Sequence, residues 1–160
     1  MAKKQQPSKP RSPRIQNKKA RHDYHILEVV ECGISLLGTE VKSLRNGTAT
    51  IDDAHARIRD GEVHLVGVNI APYPQAVAGM QHDPMRDRKL LLRRRQIEQL
   101  EIHVRQKGRT VVPLAIYFKR GWAKCELGLV AGKRQYDKRD AIRQRDQKRE
   151  IARELRRRAR

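Results

Sequence analysis

The chain has 160 residues, with 37 Lys and Arg against 18 Asp and Glu, which gives a formal net charge of +19. This length predicts one domain, and the charge favours nucleic acid over an anionic membrane because no apolar run is long enough to span or insert into a bilayer. The two cysteines lack CxxC spacing, which predicts reduced, buried thiols in a cytoplasmic protein.

The positive charge is concentrated at the two ends of the chain. Residues 1–21 and residues 133–160 each carry +8, which leaves only +3 for residues 22–132. A nearly neutral body of this size can bury a core. We therefore predict a disordered basic arm over residues 1–16, a folded domain over 17–132, and a basic tail over 133–160 that becomes helical on an RNA surface.

The first predicted strands precede and follow a turn. Residues 24–30 are alternating or β-branched, and residues 34–37 have a similar pattern. Cys32 and Gly33 lie between them and predict a turn, since glycine in such a run is typical of a change in chain direction.

The stretch GTEVKSLRNG at 38–47 predicts a short helix at about residues 40–46. Thr39 is a credible N-cap, Glu40 suits the positive end of the helix dipole, and Gly47 suits the left-handed position after the last turn. A capping role thus explains an acid here, and a catalytic carboxylate is the least favoured reading.

A hairpin is predicted in the middle of the chain. Residues 54–59 and 62–68 both alternate, and Asp60-Gly61 between them is the strongest short signal for a two-residue turn. Residues 71–82 then have the composition of an exposed loop.

A helical insertion is predicted after this loop. Asp83-Pro84 has the pattern of an N-cap followed by proline at the first helical position, and the helix is expected to end at Gly108. Its apolar residues are Leu90, Leu91, Leu92, Ile97, Leu100 and Val104.

The last two predicted strands cover residues 110–119 and 122–130, joined at Arg120-Gly121. Roughly six short strands with one longer helical insertion indicate a mainly β protein folded as a small antiparallel barrel.

No enzyme signature is present in the sequence: GxxxxGK[ST], GxGxxG, HExxH and paired CxxC are all missing. Asp52-Asp53 fits a turn better than a metal pair, and the six histidines leave open a hidden acid–base pair. We expect no catalytic residue, no metal and no cofactor. Because only six aromatic residues occur, recognition of folded RNA by shape and phosphate position is favoured over stacking of single-stranded bases.

At this point the residues closely resemble the SmpB family, whose members are partners of transfer-messenger RNA. The resemblance runs, in the family's order, through essentially all of residues 17–146. Its motifs are NKKARHDY (17–24), GTEVKSLRNG (38–47), HDPMRDRKLLL (82–92), VPLAIYFKRGWAKCELGLVAGK (112–133) and DKRDAIRQRD (137–146). It implies an oligonucleotide-binding-type (OB-type) β-barrel with about three helices packed on it.

The resemblance implies an RNA-binding adaptor in trans-translation. Such a protein binds the tRNA-like domain of transfer-messenger RNA and delivers it to stalled ribosomes. Its tail enters the empty message channel, beside the small-subunit rRNA of the decoding centre, and the nascent chain is tagged for degradation. We expect a monomer. Two alternatives are a general structured-RNA-binding or ribosomal protein with basic extensions, and an enzyme acting on RNA.

The resemblance also implies which residues bind RNA. They are Asn17, Lys18, Arg21, His22, Glu31, Glu40, Lys42, Arg45, Lys89, Leu91, Lys119 and Lys124. Phosphate pairing is the natural role of the basic residues. The two acids either accept from base or ribose groups or orient neighbouring basic side chains. Leu91 either packs on a base or sugar or belongs to the core.

Ribosome-binding residues are implied where the tail begins. They are Lys133, Arg134, Tyr136, Asp137, Lys138 and Arg139. Many family members have histidine in place of Tyr136 and tryptophan in place of Gln147. A tyrosine ring also stacks on a base but does not protonate as imidazole does, and a tail without that tryptophan needs another anchor, such as its arginines.

Overall fold

The structure is a computed structural model that describes residues 13–77 and 79–133, and these form nine strands and three helices. The strands are β1 (Ile15–Gln16), β2 (Tyr24–Ile34), β3 (Ala49–Thr50), β4 (His55–Arg59), β5 (Glu62–Val66), β6 (Asn69–Ile70), β7 (Arg88–Leu91), β8 (Arg109–Lys119) and β9 (Trp122–Gly132). The helices are α1 (Lys18–Asp23), α2 (Gly38–Arg45) and α3 (Arg94–Val104). Among these described helices, none has the length and apolar character needed to cross a membrane.

Seven strands form one antiparallel sheet in the order β1-β8-β9-β2-β7-β5-β4, and β3 and β6 form a separate pair. The prediction of a mainly antiparallel β fold of OB type with about three helices is confirmed. The barrel is not closed, however, because the end strands β1 and β4 do not pair with each other in the described part of the chain. β1 pairs with β8, so regular structure begins inside residues 1–16, which the sequence assigns to the arm.

Both predicted two-residue hairpins are confirmed. Asp60 and Gly61 have φ of 52° and 72°, and Arg120 and Gly121 have φ of 51° and 86°. Positive φ at both central residues defines a type I′ turn, whose twist matches that of the flanking strands. These turns connect β4 to β5 and β8 to β9.

The turn predicted at Cys32-Gly33 is wrong, as is the separate strand after it, because β2 continues through both residues to Ile34. Cys32 faces Cys125 across the β2–β9 ladder, and both are buried free thiols, as predicted. Gly33 serves a packing role instead, since a Cβ there would lie 3.2 Å from Cβ of Leu91 on β7. Here a glycine marks close approach of two strands and not a change of direction.

The short helix after β2 is confirmed as α2, but it begins at Gly38 and its N-cap is Leu37. Thr39 is therefore not the cap; its Oγ1 lies 2.9 Å from Nδ1 of the buried His82. Gly47 has φ of 77° just beyond the helix end, as predicted.

The helix predicted to start at Asp83-Pro84 is wrong in its first part. Oδ1 of Asp83 accepts from the backbone N–H of Met85, which closes a local turn. The chain then forms β7 before α3 begins at Arg94. β7 pairs with β2 and β5, and its inward residues Arg88 and Leu90 alternate with outward ones. Pairing on both edges outweighs the local helix signal.

The main core lies between the inward sides of the sheet strands, with α2, α3 and the loop residues Ile51 and Val68 covering it. A smaller apolar cluster lies on the opposite side of the sheet, where Ala20 of α1 packs against Val112, Leu114 and Val130. This second cluster fixes α1 to the outer face of β8 and β9.

Candidate nucleic-acid interface

One face of the sheet carries two groups of the predicted RNA-binding residues. Lys124, Glu126 and Val130 share the outer side of β9 because successive strand residues alternate. Helix α1 lies over the Val130 end, while Glu31 and Lys119 lie near the Lys124 end. With a rise of about 3.3 Å per residue, the two ends are about 20 Å apart. The face is thus long enough to contact several phosphates along one RNA strand or stem.

Asn17 holds α1 in place and has almost no exposed surface. Its Oδ1 accepts from the Ala20 N–H at 2.7 Å, which caps the helix, and its Nδ2 donates to the Ile51 carbonyl at 2.9 Å. Its backbone N–H donates to the Leu114 carbonyl. All of these bonds are internal, so Asn17 acts here by positioning the helix.

The exposed side chains of α1 are basic. Lys18 and Arg21 are exposed, and His22 is half-buried with Nδ1 3.0 Å from Oδ1 of Asp23. Lys19 forms an ion pair with Asp53 at 2.6 Å, which ties α1 to the loop before β4. Lys18 and Arg21 remain on the surface and suit phosphate contacts.

A hydrogen-bonded group, the sheet-face cluster, occupies the other end of this face; it consists of Arg14, Glu31, Tyr117, Lys119 and Glu126. The Glu31 carboxylate accepts from the Tyr117 hydroxyl and from Lys119 Nζ, the latter at 3.0 Å. Arg14 pairs with Glu126 and lies 4.7 Å from the Tyr117 ring centroid. Glu31 thus orients Lys119, which is one of the two roles the sequence left open.

The sheet-face cluster changes the acidity of two of its members. Hydrogen bonds from Tyr117 and Lys119 hold the pKa of Glu31 below its usual value. Burial and the Glu31 carboxylate together raise the pKa of Tyr117 to about 12. Glu31 therefore stays ionised and Tyr117 stays neutral near pH 7, so the hydrogen bond between them persists there.

An apolar groove of about 530 Å³ adjoins the sheet-face cluster and contains two of the predicted residues. Leu91 and Lys124 line it together with Phe118 and Trp122. Leu91 is 56% exposed and Trp122 is 75% exposed, so apolar surface is open to solvent beside a lysine. This combination suits a sugar or base with a nearby phosphate, and Leu91 is not a core leucine.

Helix α2 presents Lys42 and Arg45 on its exposed side. Lys42 Nζ lies 5.0 Å from the Tyr73 ring centroid, and the Arg45 guanidinium lies 5.4 Å from the Phe118 ring centroid. Among residues 13–77 and 79–133, neither cation pairs with a carboxylate, and the aromatic rings hold both side chains without neutralising their charge. The two charges are therefore well placed for phosphate.

Glu40, on the same helix, is fully buried. Its carboxylate accepts from Arg86 Nε and Arg88 Nε, both at 2.9 Å, and from the Leu37 N–H at 2.7 Å. Burial alone would raise the pKa of Glu40, but these hydrogen bonds outweigh it and the pKa lies below its usual value. Glu40 thus completes the first turn of α2 and anchors that helix to β7; it orients basic residues and has no surface for RNA.

Lys89 is exposed on β7, next to the buried Arg88. Its ammonium pairs with Glu62 of β5, and this pairing lowers the pKa of Glu62. Exposed pairs of this kind contribute little to stability, so Lys89 can exchange Glu62 for a phosphate at small cost.

Only the first of the predicted ribosome-binding residues is described. Lys133 lies at the end of β9, with its side chain against α1. Arg134, Tyr136, Asp137, Lys138 and Arg139 lie outside the described residues. In residues 13–77 and 79–133, no group of three or more His, Cys, Asp or Glu forms a potential metal site.

Several residues that hold or line this candidate interface were not identified from the sequence. They are Arg14, Arg86, Arg88, Tyr117 and Trp122. Arg86 and Arg88 lie 46 and 48 positions from Glu40, so no local pattern connects them. Tyr117 had a usable signal, since it alternates with inward residues of β8 and shares its side with Lys119.

Comparison with known proteins shows the family to which this chain belongs. A family model described as SmpB protein matches residues 14–157. The SsrA-binding protein of Latilactobacillus sakei is 49% identical over 99% of this chain and 100% of its own length. That of Moorella thermoacetica is 54% identical over 89% of this chain and 92% of its own.

A solved structure gives the same result at the level of the fold. It is described as "tmRNA-SmpB: a journey to the center of the bacterial ribosome", and its matching chain is 49% identical with a TM-score of 0.66. The match covers 82% of this chain and 95% of the other. With a family match over nearly the whole sequence and relatives at about half identity, the chain belongs to the SmpB family.

Proposed function

We propose that this chain is the RNA-binding adaptor of trans-translation. The barrel binds the tRNA-like domain of transfer-messenger RNA and delivers it to stalled ribosomes. The tail then enters the empty message channel, and the nascent chain is tagged for degradation. The observation that carries the proposal is the 49% identity, over 82% of the chain, to a structure of tmRNA–SmpB in the bacterial ribosome.

The outer sheet face supports the RNA-binding part of the proposal. Lys18 and Arg21 lie at one end, and Lys119 and Lys124 lie about 20 Å away at the other. Lys42 and Arg45 extend the basic surface on α2. Basic groups on rigid elements at fixed spacing read the phosphate positions of a folded RNA, whereas base edges contribute less.

We further propose that the chain performs no chemical step itself. The family relationship supports RNA binding, and the residues of the interface are explained by ion pairs, helix capping and exposed cations. In this scheme the protein contributes position and shape, while the ribosome and the RNA complete tagging.

A competition experiment tests the proposal. Full-length protein is bound to labelled transfer-messenger RNA and challenged with bulk tRNA, across a salt series from about 50 to 400 mM. We expect both affinities to fall as salt rises while the preference for transfer-messenger RNA persists. Equal affinities that fall together would favour a general structured-RNA-binding protein whose basic arms bind without selectivity.

A further inference from the structure

The segment between β6 and β7 brings an aromatic ring to the exposed side of α2. Lys42 Nζ lies 5.0 Å from the centroid of the Tyr73 ring. Tyr73 is half-buried, whereas Lys42 is exposed. The two residues belong to different elements, so their contact depends on how the segment after β6 is held against α2.

The side chain of Gln81 fixes the backbone of Tyr73. Its Nε2 donates to the Tyr73 carbonyl at 2.9 Å, and its Oε1 accepts from the Tyr73 N–H at 3.1 Å. A side-chain amide has both a donor and an acceptor, so it can satisfy both backbone groups of one residue. The Tyr73 hydroxyl donates to Gln75 Oε1 at 2.6 Å. The position of the Tyr73 backbone is therefore set by bonds that do not involve its ring.

The next residue ties this segment to α2 itself. His82 is 4% exposed, with Nδ1 2.9 Å from Thr39 Oγ1 and Nε2 3.1 Å from the Ile70 carbonyl oxygen. Because a carbonyl only accepts, Nε2 carries the proton, and Nδ1 of the neutral ring accepts from the Thr39 hydroxyl. Thr39 lies in the first turn of α2. A buried contact therefore joins the segment that carries Tyr73 to the helix that carries Lys42.

A ring at this position affects how readily Lys42 can bind an anion. The lysine side chain is long and flexible, and fixing such a side chain on binding opposes association. The face of an aromatic ring attracts an ammonium and restricts it without removing its charge. A lysine that is already held before RNA arrives loses less freedom when it binds a phosphate.

We propose that Tyr73 is a positioning residue that holds the Lys42 ammonium in the orientation in which it meets an RNA phosphate. The inference rests on the proposed function, in which Lys42 contacts the RNA. Tyr73 acts through Lys42, and its ring is the part that matters, since its hydroxyl is bonded to Gln75.

The first measurement is made on the full-length protein without RNA. Protons over the face of an aromatic ring are shifted upfield by its ring current, and NMR of ¹³C-labelled protein reports the ε-methylene of Lys42, assigned by its loss in Lys42→Met. We expect an upfield shift in wild type and in Tyr73→Phe, and its loss in Tyr73→Leu. Gln75→Ala is the matched control, because it removes the partner of the hydroxyl and leaves the ring.

Affinity for transfer-messenger RNA is then measured by competition on the same variants. We expect Tyr73→Leu to weaken binding about three- to ten-fold, the range that corresponds to ordering one flexible side chain. Tyr73→Phe and Gln75→Ala should stay within about two-fold of wild type, because both keep the ring. Added to Lys42→Met, Tyr73→Leu should have no further effect, since no ammonium remains for the ring to hold.

Three results would overturn the inference. The Lys42 methylene could have the same shift in Tyr73→Leu as in wild type, or Tyr73→Leu could keep full affinity. An equal loss of affinity with and without Lys42→Met would show that the Tyr73 ring contacts RNA itself. Failure of the proposed function is distinguishable: wild-type protein would then show no preference for transfer-messenger RNA over tRNA, while the RNA-free shift would still decide whether the ring holds Lys42.

Discussion

Glu40 is a fully buried carboxylate whose two oxygens bind two guanidinium groups and one backbone N–H. Its partner Arg88 is also fully buried and donates to the Val68 and Pro84 carbonyls as well. Removing one charge of such a pair leaves the other uncompensated inside the protein, which is far more costly than losing an exposed pair. The buried Glu40 carboxylate therefore stabilises α2, the helix whose exposed side carries basic residues.

We predict that Glu40→Gln lowers the free energy of unfolding by about 3–5 kcal/mol at neutral pH. Because the pKa of Glu40 is depressed in the folded state, its contribution is present above the unfolded pKa and is lost as pH falls through the folded value. The difference between wild type and variant should therefore shrink below about pH 4. Urea denaturation followed by circular dichroism, from pH 7 downwards, measures it.

Glu98→Gln provides the matched control, since Glu98 is exposed and pairs with Arg94 one helical turn away. It should change stability by no more than about 0.5 kcal/mol. If Glu40→Gln instead retained full stability and lost RNA affinity, the carboxylate would have to contact RNA directly.

At the scale of elements, α1 depends on its N-cap because it has only six residues. We predict that Asn17→Ala lowers the free energy of unfolding by about 2–3 kcal/mol, since it removes the cap and leaves the Ile51 carbonyl without this donor. Asn17→Ser keeps a capping oxygen but does not reach Ile51, so it should lose about 1 kcal/mol less. Amide hydrogen exchange at Ala20 and Arg21 reports the helix itself. Reduced RNA affinity with unchanged protection would contradict a positioning role.

The elements that sequence could predict are those whose signals are local. Asp60-Gly61 and Arg120-Gly121 occupy positions with positive φ, and the turn chemistry alone identifies them. Gly33 is also a glycine, but the structure needs it for a different reason: Leu91, on a strand nearly 60 positions away in the sequence, packs closely against it. A glycine required by a distant strand resembles a turn glycine when only its neighbours are visible.

The prediction of a single helix over residues 83–108 was wrong for the same reason. Asp83-Pro84 is a strong local cap, and three successive leucines fit a helix as well as a strand. Only pairing of Leu90 with Ile34 and Val63 on the two adjacent strands makes this segment β7. Helix α3 begins afterwards, where Leu100 provides the buried contact.

Across the whole molecule, the family motifs imply which residues bind RNA but not which of them face outward. Lys18, Arg21, Lys42, Arg45 and Lys124 lie on the surface or near it. Asn17 and Glu40 stand in the same motifs and are almost completely buried. A motif records residues that belong together, and burial depends on the packing of α1 and α2, which the sequence alone does not supply.

The division of labour between barrel and tail is tested by a truncation, and the structure determines where it should begin. A chain ending at Gly132 would remove not only the tail but also the hydrogen bonds that Lys133 Nζ donates to the Arg21 and His22 carbonyls of α1. A chain ending at Lys133, extended by Gly-Ser to keep the terminal carboxylate away from the α1 carbonyls, removes only residues 134–160.

We predict that this second truncation keeps the preference for transfer-messenger RNA over tRNA within about three-fold, because the residues proposed to bind this RNA lie on the barrel. Both affinities should become less salt-dependent, since the removed segment carries twelve basic and five acidic residues. Tagging on stalled ribosomes should be abolished, because no segment then occupies the message channel. Competition binding and a tagging assay on the same preparation measure the two effects. Equal loss of RNA preference and tagging would show that the tail belongs to the RNA-binding surface, and the two activities would then not be separable along the chain.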